Sequence, residues 1–101
     1  MVRFEWDSSK ARSNHKKHGI TFEEAKAVFE DPFAHFEQDH GKGAEVRWLA
    51  TGLVGGMVVV VVVHTVREEG QDEVIRLISA RRASRKERKK YGENSAQDAW
   101  R

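Results

Sequence analysis

The stretch Val58–Arg67, with the sequence VVVVVVHTVR, decides how this chain folds. Six consecutive valines are too few to cross a bilayer, which takes about 20 apolar residues. Every valine is β-branched and Gly55 and Gly56 precede the run, so the pattern predicts a strand that is buried on both of its faces. We therefore place this strand at the centre of a sheet. We expect His64 to emerge at its end and Arg67 to lie in the turn that follows.

The segments on either side of the valine run also have the composition of strands. Residues 47–53 lead through a glycine-rich loop into the run, and residues 74–80 follow it after a polar turn. Sequential strands with short connections predict an antiparallel meander. Apolar side chains alternate over residues 2–6, which predicts a half-buried strand at the start of the chain. Residues 33–36 are candidates for a short strand before a turn at residues 39–43.

Two helices are predicted between the first strand and the meander. Asp7 can cap a polar helix over residues 8–18, which ends at Gly19. Thr21 and Glu24 form a capping box that starts a second helix. The apolar side chains of this second helix recur at helical spacing, so we expect it to pack on the core.

A third helix is predicted near the end of the chain, where Ser84–Glu87 forms another capping box. This helix is basic and is expected to run to Tyr91 and to end at Gly92. Residues 93–101 would then form a polar tail. The order of strand, two helices, three or four strands and helix predicts an α+β domain over residues 1–92, with the helices against an antiparallel sheet.

The composition of the chain excludes several classes of protein. It has no cysteine, so disulfides, thiolate nucleophiles and cysteine-based zinc sites are absent. No segment is apolar enough for a signal sequence or a membrane span. We therefore expect a cytoplasmic protein of 101 residues that does not associate with a membrane.

Motifs for metals and nucleotides are also missing. His15 and His18 are three residues apart without a carboxylate partner, and no cluster has the spacing of metal ligands. The glycine-rich loop before the valine run lacks the lysine and hydroxyl of a phosphate-binding loop. The sequence therefore predicts neither a metal site nor a cofactor.

Positive charge is concentrated in one part of the chain. The net charge is +2, but residues 76–90 hold eight Lys or Arg and a single acid, Glu87. Such a cluster is typical of a surface that binds a polyanion. It is also typical of a solvated helix face, and the composition does not separate the two interpretations.

The side chains at the predicted strand ends could cleave RNA without a metal. That reaction needs a base for the 2′-hydroxyl proton, cations for the phosphorane and an acid for the leaving 5′-oxygen. Histidine can serve as base or acid near neutral pH, and arginine binds two phosphate oxygens at once. On this reasoning His64 is a candidate for proton transfer, and Arg67 and Arg81 are candidates for binding phosphate.

Arg76 is expected in the middle of the last strand, on the same face as Ile78 and Ala80. An unpaired guanidinium would be costly there. Arg76 therefore either faces a polar cleft or pairs with an acid such as Asp7 or Glu24.

Several ordered motifs of the chain resemble the BrnT toxin family. They cover about residues 3–91 and read Trp6-Asp7-x-x-Lys10, Asn14-x-x-Lys17-His18-Gly19-Ile20-x-Phe22-x-x-Ala25, Val28-Phe29-x-Asp31-Pro32, His64-Thr65-x-Arg67 and Arg76-x-Ile78-Ser79-Ala80-Arg81-x-Ala83-x-Arg85-x-Glu87-Arg88-x-x-Tyr91. Residues 39–45 and the tail after Gly92 match no motif of the family.

The resemblance implies a RelE-like fold and a metal-independent endoribonuclease that halts translation. It also implies a BrnA-like antitoxin, a ribbon-helix-helix protein that binds DNA and forms a hetero-oligomer with the toxin. Operator DNA would then be contacted only indirectly, through the antitoxin. The rival interpretation is a basic α+β module that binds nucleic acid or protein without catalysis, because phosphate contacts alone give affinity.

The resemblance also widens the set of candidate site residues. Lys10 and Lys17 are candidates for RNA binding by charge, and Tyr91 is similar in placement to the tyrosine of RelE-type toxins. The full expected set is His18, His64, Arg67, Arg81 and Tyr91 for catalysis, with Lys10, Lys17, Arg76, Arg85 and Arg88 for RNA binding. For His18 the alternative is a helix-terminal histidine stabilised by the dipole. For His64 it is a histidine satisfied by the backbone.

Overall fold

Strand β4, Val58–Glu69, contains the valine run and is the middle strand of a five-stranded sheet. The computed structural model describes residues 1–39, 43 and 45–99. Its elements are β1 (Val2–Glu5), α1 (Ser8–His18), α2 (Phe22–Ala25), a 3₁₀ helix (Lys26–Glu30), β2 (His35–Asp39), β3 (Arg47–Val54), β4, β5 (Asp72–Arg82) and α3 (Arg85–Ala99). The strand order is β1-β5-β4-β3-β2. The predicted α+β class and the central position of the valine strand are confirmed.

The meander is antiparallel, as predicted, but the sheet as a whole is mixed. Strands β2, β3, β4 and β5 pair in sequence as antiparallel neighbours. Strand β1 instead pairs in parallel with β5, with Phe4 beside Ile75. The fully antiparallel prediction was therefore wrong for β1. Local pattern identifies β1 as a strand, but its partner lies about 70 residues away and leaves no local signal.

The helix starts follow the capping chemistry of the sequence. The Asp7 side chain accepts a hydrogen bond from the Lys10 amide at 3.0 Å, and Gly19 ends α1 in the left-handed conformation. Thr21 and Glu24 form the predicted capping box of α2. After one turn α2 tightens into the 3₁₀ helix and stops before Asp31.

Strand β4 is longer than the sequence pattern predicts. It continues through His64 and Arg67 to Glu69, because β-branched Thr65 and Val66 extend the strand and β5 pairs with it as far as Asp72. His64 therefore lies within the strand and not at its exit. Arg67 likewise lies in the strand and not in a turn.

The two sides of the sheet differ, and a bulge determines which residues share a side. Along β4, Val60, Val62 and His64 alternate with Val61 and Arg67. We call the first side the helix face, because α2 and the 3₁₀ helix pack on it, and the second side the arginine face. The core joins Val60 and Val62 to residues from α2, the 3₁₀ helix, β3 and β5, among them Phe22, Val28, Ala50 and Leu77.

The bulge lies in β5 at Ile78. His64 pairs with Leu77 and Val63 pairs with Ser79, so Ile78 is the extra residue. Beyond it Ala80 enters the core with Leu77. The prediction that Arg76 and Ala80 share a face was therefore wrong, because simple alternation does not anticipate a bulge.

Helix α3 begins at the predicted capping box. The Ser84 amide donates to Glu87, and the Glu87 amide donates to the Ser84 hydroxyl. The helix does not end at Gly92, however, but extends to Ala99. A glycine inside an exposed helix costs only about 1 kcal/mol. The predicted tail is thus helical as far as residue 99, while the predicted turn at residues 39–43 falls mostly outside the described residues.

Candidate nucleic-acid interface

Three predicted arginines lie together on the arginine face. Cross-strand partners share a face of a sheet. Arg81 pairs with Val61, Arg76 with Thr65, and Arg67 lies in β4 two residues beyond Thr65. The bulge at Ile78 is the reason that Arg76 and Arg81, five residues apart, point to the same side.

Helix α1 forms one wall beside these arginines. Lys10, Lys17 and His18 recur at helical spacing and border a cleft against β5. The cleft has a volume of about 210 Å³ and is lined by Lys10, Ser13, Asn14, Lys17, His18, Ile78 and Ser79. Ser79 pairs with Val63 and lies on the arginine face, so this cleft borders that face.

Asn14 fixes α1 to the sheet. Its side chain accepts a hydrogen bond from the Ala80 amide at 3.1 Å and donates to the Ala80 carbonyl at 2.9 Å. It also donates to the Ile20 carbonyl at 3.2 Å. Strand β1 ends before this point of β5, so the Asn14 amide satisfies backbone groups that no strand covers there. The sequence marked Asn14 only as part of a family motif, and the signal for its role is a polar residue on the inner stripe of α1.

Helix α3 forms the opposite wall. Tyr91 and Glu87 lie near Thr51, which pairs with Val61 and so lies on the arginine face. Arg81 donates to Glu87 through both terminal nitrogens, at 2.7 and 3.1 Å. The Arg81 guanidinium, with the Ser84 amide and hydroxyl, lowers the pKa of Glu87 to about 2. This ion pair joins the end of β5 to the start of α3.

We call the strip between the two walls the channel, with Arg76, Ser79 and Arg81 on its floor. The predicted residues Lys10, Lys17 and His18 lie on its α1 side. Arg85 and Arg88 are exposed at the start of α3, and Arg88 donates to the Ala83 carbonyl at 2.9 Å. The structure thus gathers most of the predicted cations around one surface.

An ion-pair network occupies the outer end of the arginine face. Arg67 binds both oxygens of Glu5, at 2.8 and 2.9 Å, and also contacts Glu69. Arg76 donates to Glu5 at 3.0 Å. Hydrogen bonds from Arg67 and then Arg76 lower the pKa of Glu5 to about 2. Arg76 therefore pairs with an acid, as one interpretation predicted, but the acid is Glu5 and not Asp7 or Glu24.

The three arginines differ in how many of their donors are engaged. Arg67 uses all three guanidinium nitrogens on Glu5 and Glu69. Arg81 uses both terminal nitrogens on Glu87. Within the described part of the chain, Arg76 makes one side-chain hydrogen bond, from a single terminal nitrogen. Arg76 is consequently the best placed of the three to accept a new anionic partner.

Tyr91 and His64 lie away from the channel floor. The Tyr91 hydroxyl donates to Asp31 at 2.5 Å, and burial together with Asp31 raises the pKa of Tyr91 to about 12. His64 lies on the helix face, 2% exposed, with its ring 4.9 Å from that of Phe29. Burial lowers the pKa of His64, although the Val62 carbonyl opposes this shift. Both side chains are thus held by their packing, and His64 is separated from the arginines by the sheet.

Neither a metal-binding cluster nor a membrane-spanning helix is found among the described residues. Across residues 1–39, 43 and 45–99, no group of three or more His, Asp or Glu side chains is arranged to hold a metal ion. In the same ranges, no helix has the length and apolar character needed to span a bilayer.

Comparison with known proteins adds independent information. The family described as "Ribonuclease toxin, BrnT, of type II toxin-antitoxin system" matches residues 6–87. The crystal structure of the Brucella abortus ribonuclease toxin BrnT, at 1.1 Å resolution, is similar with a TM-score of 0.63 and 26% sequence identity. The similarity covers 84% of this chain and 100% of that chain. A search among curated protein sequences returned no match.

Proposed function

The chain belongs to the BrnT family, the ribonuclease toxins of type II toxin–antitoxin systems, and from this premise we propose that it cleaves RNA in the channel of its arginine face. One observation supports this location of the cleavage site. The cleft lined by Lys10, Lys17 and His18 is also lined by Ser79 of β5, which shares the arginine face with Arg76. This neighbourhood supports a site in which His18 would transfer protons and the cations of the same face would bind phosphate.

The cations of the channel would hold the phosphate and stabilise its transition state. As the 2′-oxygen attacks phosphorus, negative charge grows on the two non-bridging oxygens. Arg76 could turn its unengaged donors toward them, and Arg81, which Glu87 holds in place, would bind the chain further along the same face. Lys10 and Lys17 on α1, with Arg85 and Arg88 on α3, would bind phosphates on either side of the scissile bond. Arg67 would act indirectly, by fixing Glu5 against Arg76.

His18 is the predicted histidine that lies at the channel, and we assign proton transfer to it. It would take the 2′-hydroxyl proton as the 2′-oxygen attacks phosphorus, and would return that proton to the 5′-oxygen as the P–O5′ bond breaks, giving a 2′,3′-cyclic phosphate and a 5′-hydroxyl. His18 is half-buried at the last turn of α1, at the border of the cleft. No metal takes part in this sequence of steps. Tyr91 would serve as a positioning residue that holds α3 through Asp31.

The first experiment measures cleavage of a single-stranded RNA with excess EDTA. We expect the wild type to cleave this RNA. The cleavage rates of His18→Asn and Arg76→Gln should each be lower than the wild-type rate by a factor of at least about 100. His15→Asn is the matched control, because His15 lies on the other side of α1, near Thr21 and Arg12. It should retain the wild-type rate.

Three results would contradict parts of this proposal. Loss of wild-type cleavage on adding EDTA would overturn the metal-free mechanism. Equal losses in His15→Asn and His18→Asn would remove the specific role of His18. RNA binding without any cleavage would favour the non-catalytic binding module.

Tyr91→Phe tests whether the phenol is catalytic. The variant removes the hydrogen bond to Asp31, which still accepts from the amides of Phe33 and Leu53. We expect a loss of about 1 kcal/mol of stability and a cleavage rate within threefold of wild type. A rate at least 30-fold lower in a protein of unchanged stability would instead make Tyr91 an acid–base group.

The wider biology follows from the same proposal. We propose that cleavage is endonucleolytic and arrests translation, that the fold is RelE-like, and that a BrnA-like ribbon-helix-helix antitoxin neutralises the toxin in the cytoplasm. Operator DNA would be bound by the antitoxin and not by this chain. The family supports an antitoxin partner and an RNA substrate.

A further inference from the structure

The helix face of the sheet is only half covered. The helices pack over Val60 and Val62, and Phe29 of the 3₁₀ helix packs on His64. Beyond His64, no helix within residues 1–39, 43 and 45–99 covers the outer part of this face around Val66. A groove of about 630 Å³ lies there, bounded on one side by Phe29 of the 3₁₀ helix. It crosses all five strands, with walls and floor that include Val2, Phe4, Phe36, Trp48, Val66 and Ile75.

The surface of this groove is strongly apolar and open to solvent. Val2 is 52% exposed, Phe36 49% and Val66 42%. Single exposed apolar side chains are ordinary, but a contiguous apolar surface usually marks a site of interaction. The groove therefore has the exposed, contiguous apolar surface that is typical of a docking site.

The border of the groove is acidic. Glu30 and Glu73 line it, and Glu68 pairs directly with Glu73 across β4 and β5 on the same face. Like charges directly opposite each other destabilise a sheet. Within residues 1–39, 43 and 45–99, no ion pair is formed by any of these three carboxylates. A partner with basic side chains would relieve this repulsion.

We propose that the groove binds an amphipathic α-helix of the antitoxin, with an apolar stripe against Val66 and Phe36 and with Lys or Arg beside Glu30, Glu68 and Glu73. This inference rests on the proposed function for the existence of the antitoxin. The groove runs across the strands, and its floor consists of side chains and not of an open strand edge. A helix satisfies its own backbone hydrogen bonds and so suits such a floor, whereas an added strand would not.

A second copy of the chain fits this surface less well. A symmetric pair would join the same patch of both molecules. Glu30, Glu68 and Glu73 of one molecule would then face the same carboxylates of the other. Charge complementarity therefore favours a basic partner over self-association.

The test uses a synthetic helical peptide of about 14 residues, roughly 21 Å long, with Leu on one face and Lys on the flanks. A second peptide carries Glu in place of every Lys. Binding to the intact chain is measured by titration calorimetry. We expect the Lys peptide to bind at least tenfold more tightly than the Glu peptide.

Matched variants locate the binding site. Val66→Arg should weaken binding of the Lys peptide at least tenfold, and Glu73→Lys should do the same. Val46→Arg adds the same charge at a valine that is 50% exposed and does not line the groove, so it should change the affinity less than twofold. Equal affinity of both peptides, or unchanged binding by Val66→Arg, would overturn the proposal. Concentration-dependent dimers that Val66→Arg abolishes would assign the groove to a second copy.

Cleavage assays keep this inference separate from the proposed function. The channel lies on the opposite face, so Val66→Arg should cleave RNA at the wild-type rate, and the Lys peptide should not inhibit cleavage. A chain that binds the peptide at the groove but never cleaves RNA would contradict the nuclease alone. A chain that cleaves RNA but binds no peptide would contradict the groove alone.

Discussion

The two faces of strands β4 and β5 differ in how their charged side chains are paired. On the arginine face, Arg67 and Arg76 share Glu5, and Arg81 pairs with Glu87. On the helix face, Glu68 and Glu73 lie opposite each other beside an apolar groove. One face is electrostatically organised within the chain, and the other is left incomplete. The difference matches the two proposals, a reaction on the arginine face and a partner on the helix face.

The largest effect on this contrast is expected from Asn14→Ala. The change leaves the buried amide and carbonyl of Ala80 without side-chain partners, so it should lower stability by about 3 kcal/mol. It should also detach one wall of the channel and reduce RNA cleavage, while peptide binding at the groove persists in the folded fraction. Chemical denaturation measures the first effect, with Ser13→Ala as the control. Equal stability of the two variants would show that Asn14 does not anchor α1.

Glu87→Gln should have an intermediate effect that depends on pH. The pKa of Glu87 is lowered from 4.5 to about 2, so its ion pair stabilises the fold fully above pH 4.5 and ceases to do so as the pH falls toward 2. The variant should be less stable than wild type by about 1–2 kcal/mol at pH 7, since Glu87 is partly solvated. The difference in free energy of unfolding between Glu87→Gln and the wild type should become smaller below pH 4.5. Denaturation curves recorded from pH 7 to pH 3 would measure it.

Glu73→Gln is the matched control for Glu87→Gln, because it removes a carboxylate from the other face of the sheet. It has no recorded ion pair among the described residues, so its removal should not reproduce this pH dependence. If both variants lose the same acid-dependent stability, the contrast between the two faces is wrong.

The smallest effect is expected from His64→Leu. The side chain lies on the helix face among aromatic rings, so a change of similar volume should alter stability by less than about 1.5 kcal/mol. RNA cleavage should remain within threefold of wild type. A loss of cleavage rate comparable to that of His18→Asn would make His64 a catalytic residue. It would also mean that both faces of the sheet contribute to cleavage.

Local chemistry accounts for what could be predicted of the fold. Capping residues such as Asp7 and Thr21 locate helix starts, and the β-branched run locates the central strand, because these signals act over a few residues. The parallel partner of β1 and the bulge at Ile78 depend on contacts between distant segments. Local sequence patterns therefore could not predict the parallel pairing of β1 or the bulge.

The candidate site was predicted less completely than the fold. Charge and family resemblance led to the prediction of Lys17, His18 and Arg76, whose role in RNA cleavage stays a prediction; in the structure Lys17 and His18 line the cleft of α1, and Arg76 lies on the arginine face. They could not identify Glu5 and Glu87 as the carboxylates that hold the arginines, because both pairings bring together different elements. His64 was misplaced, since its surroundings depend on which face of β4 the helices cover.

The bulge at Ile78 has a consequence for how this chain can vary in length. Arg76 and Arg81 are five positions apart, and in a regular strand such a pair would point to opposite sides. Deleting Ile78 would remove the bulge and still leave Ala80 in the core and Arg81 on the arginine face, because the remaining residues already alternate. A chain that is one residue shorter at this point can therefore keep both faces of the sheet with a regular strand. The two arginines share a face at a spacing of five with the bulge, or of four without it.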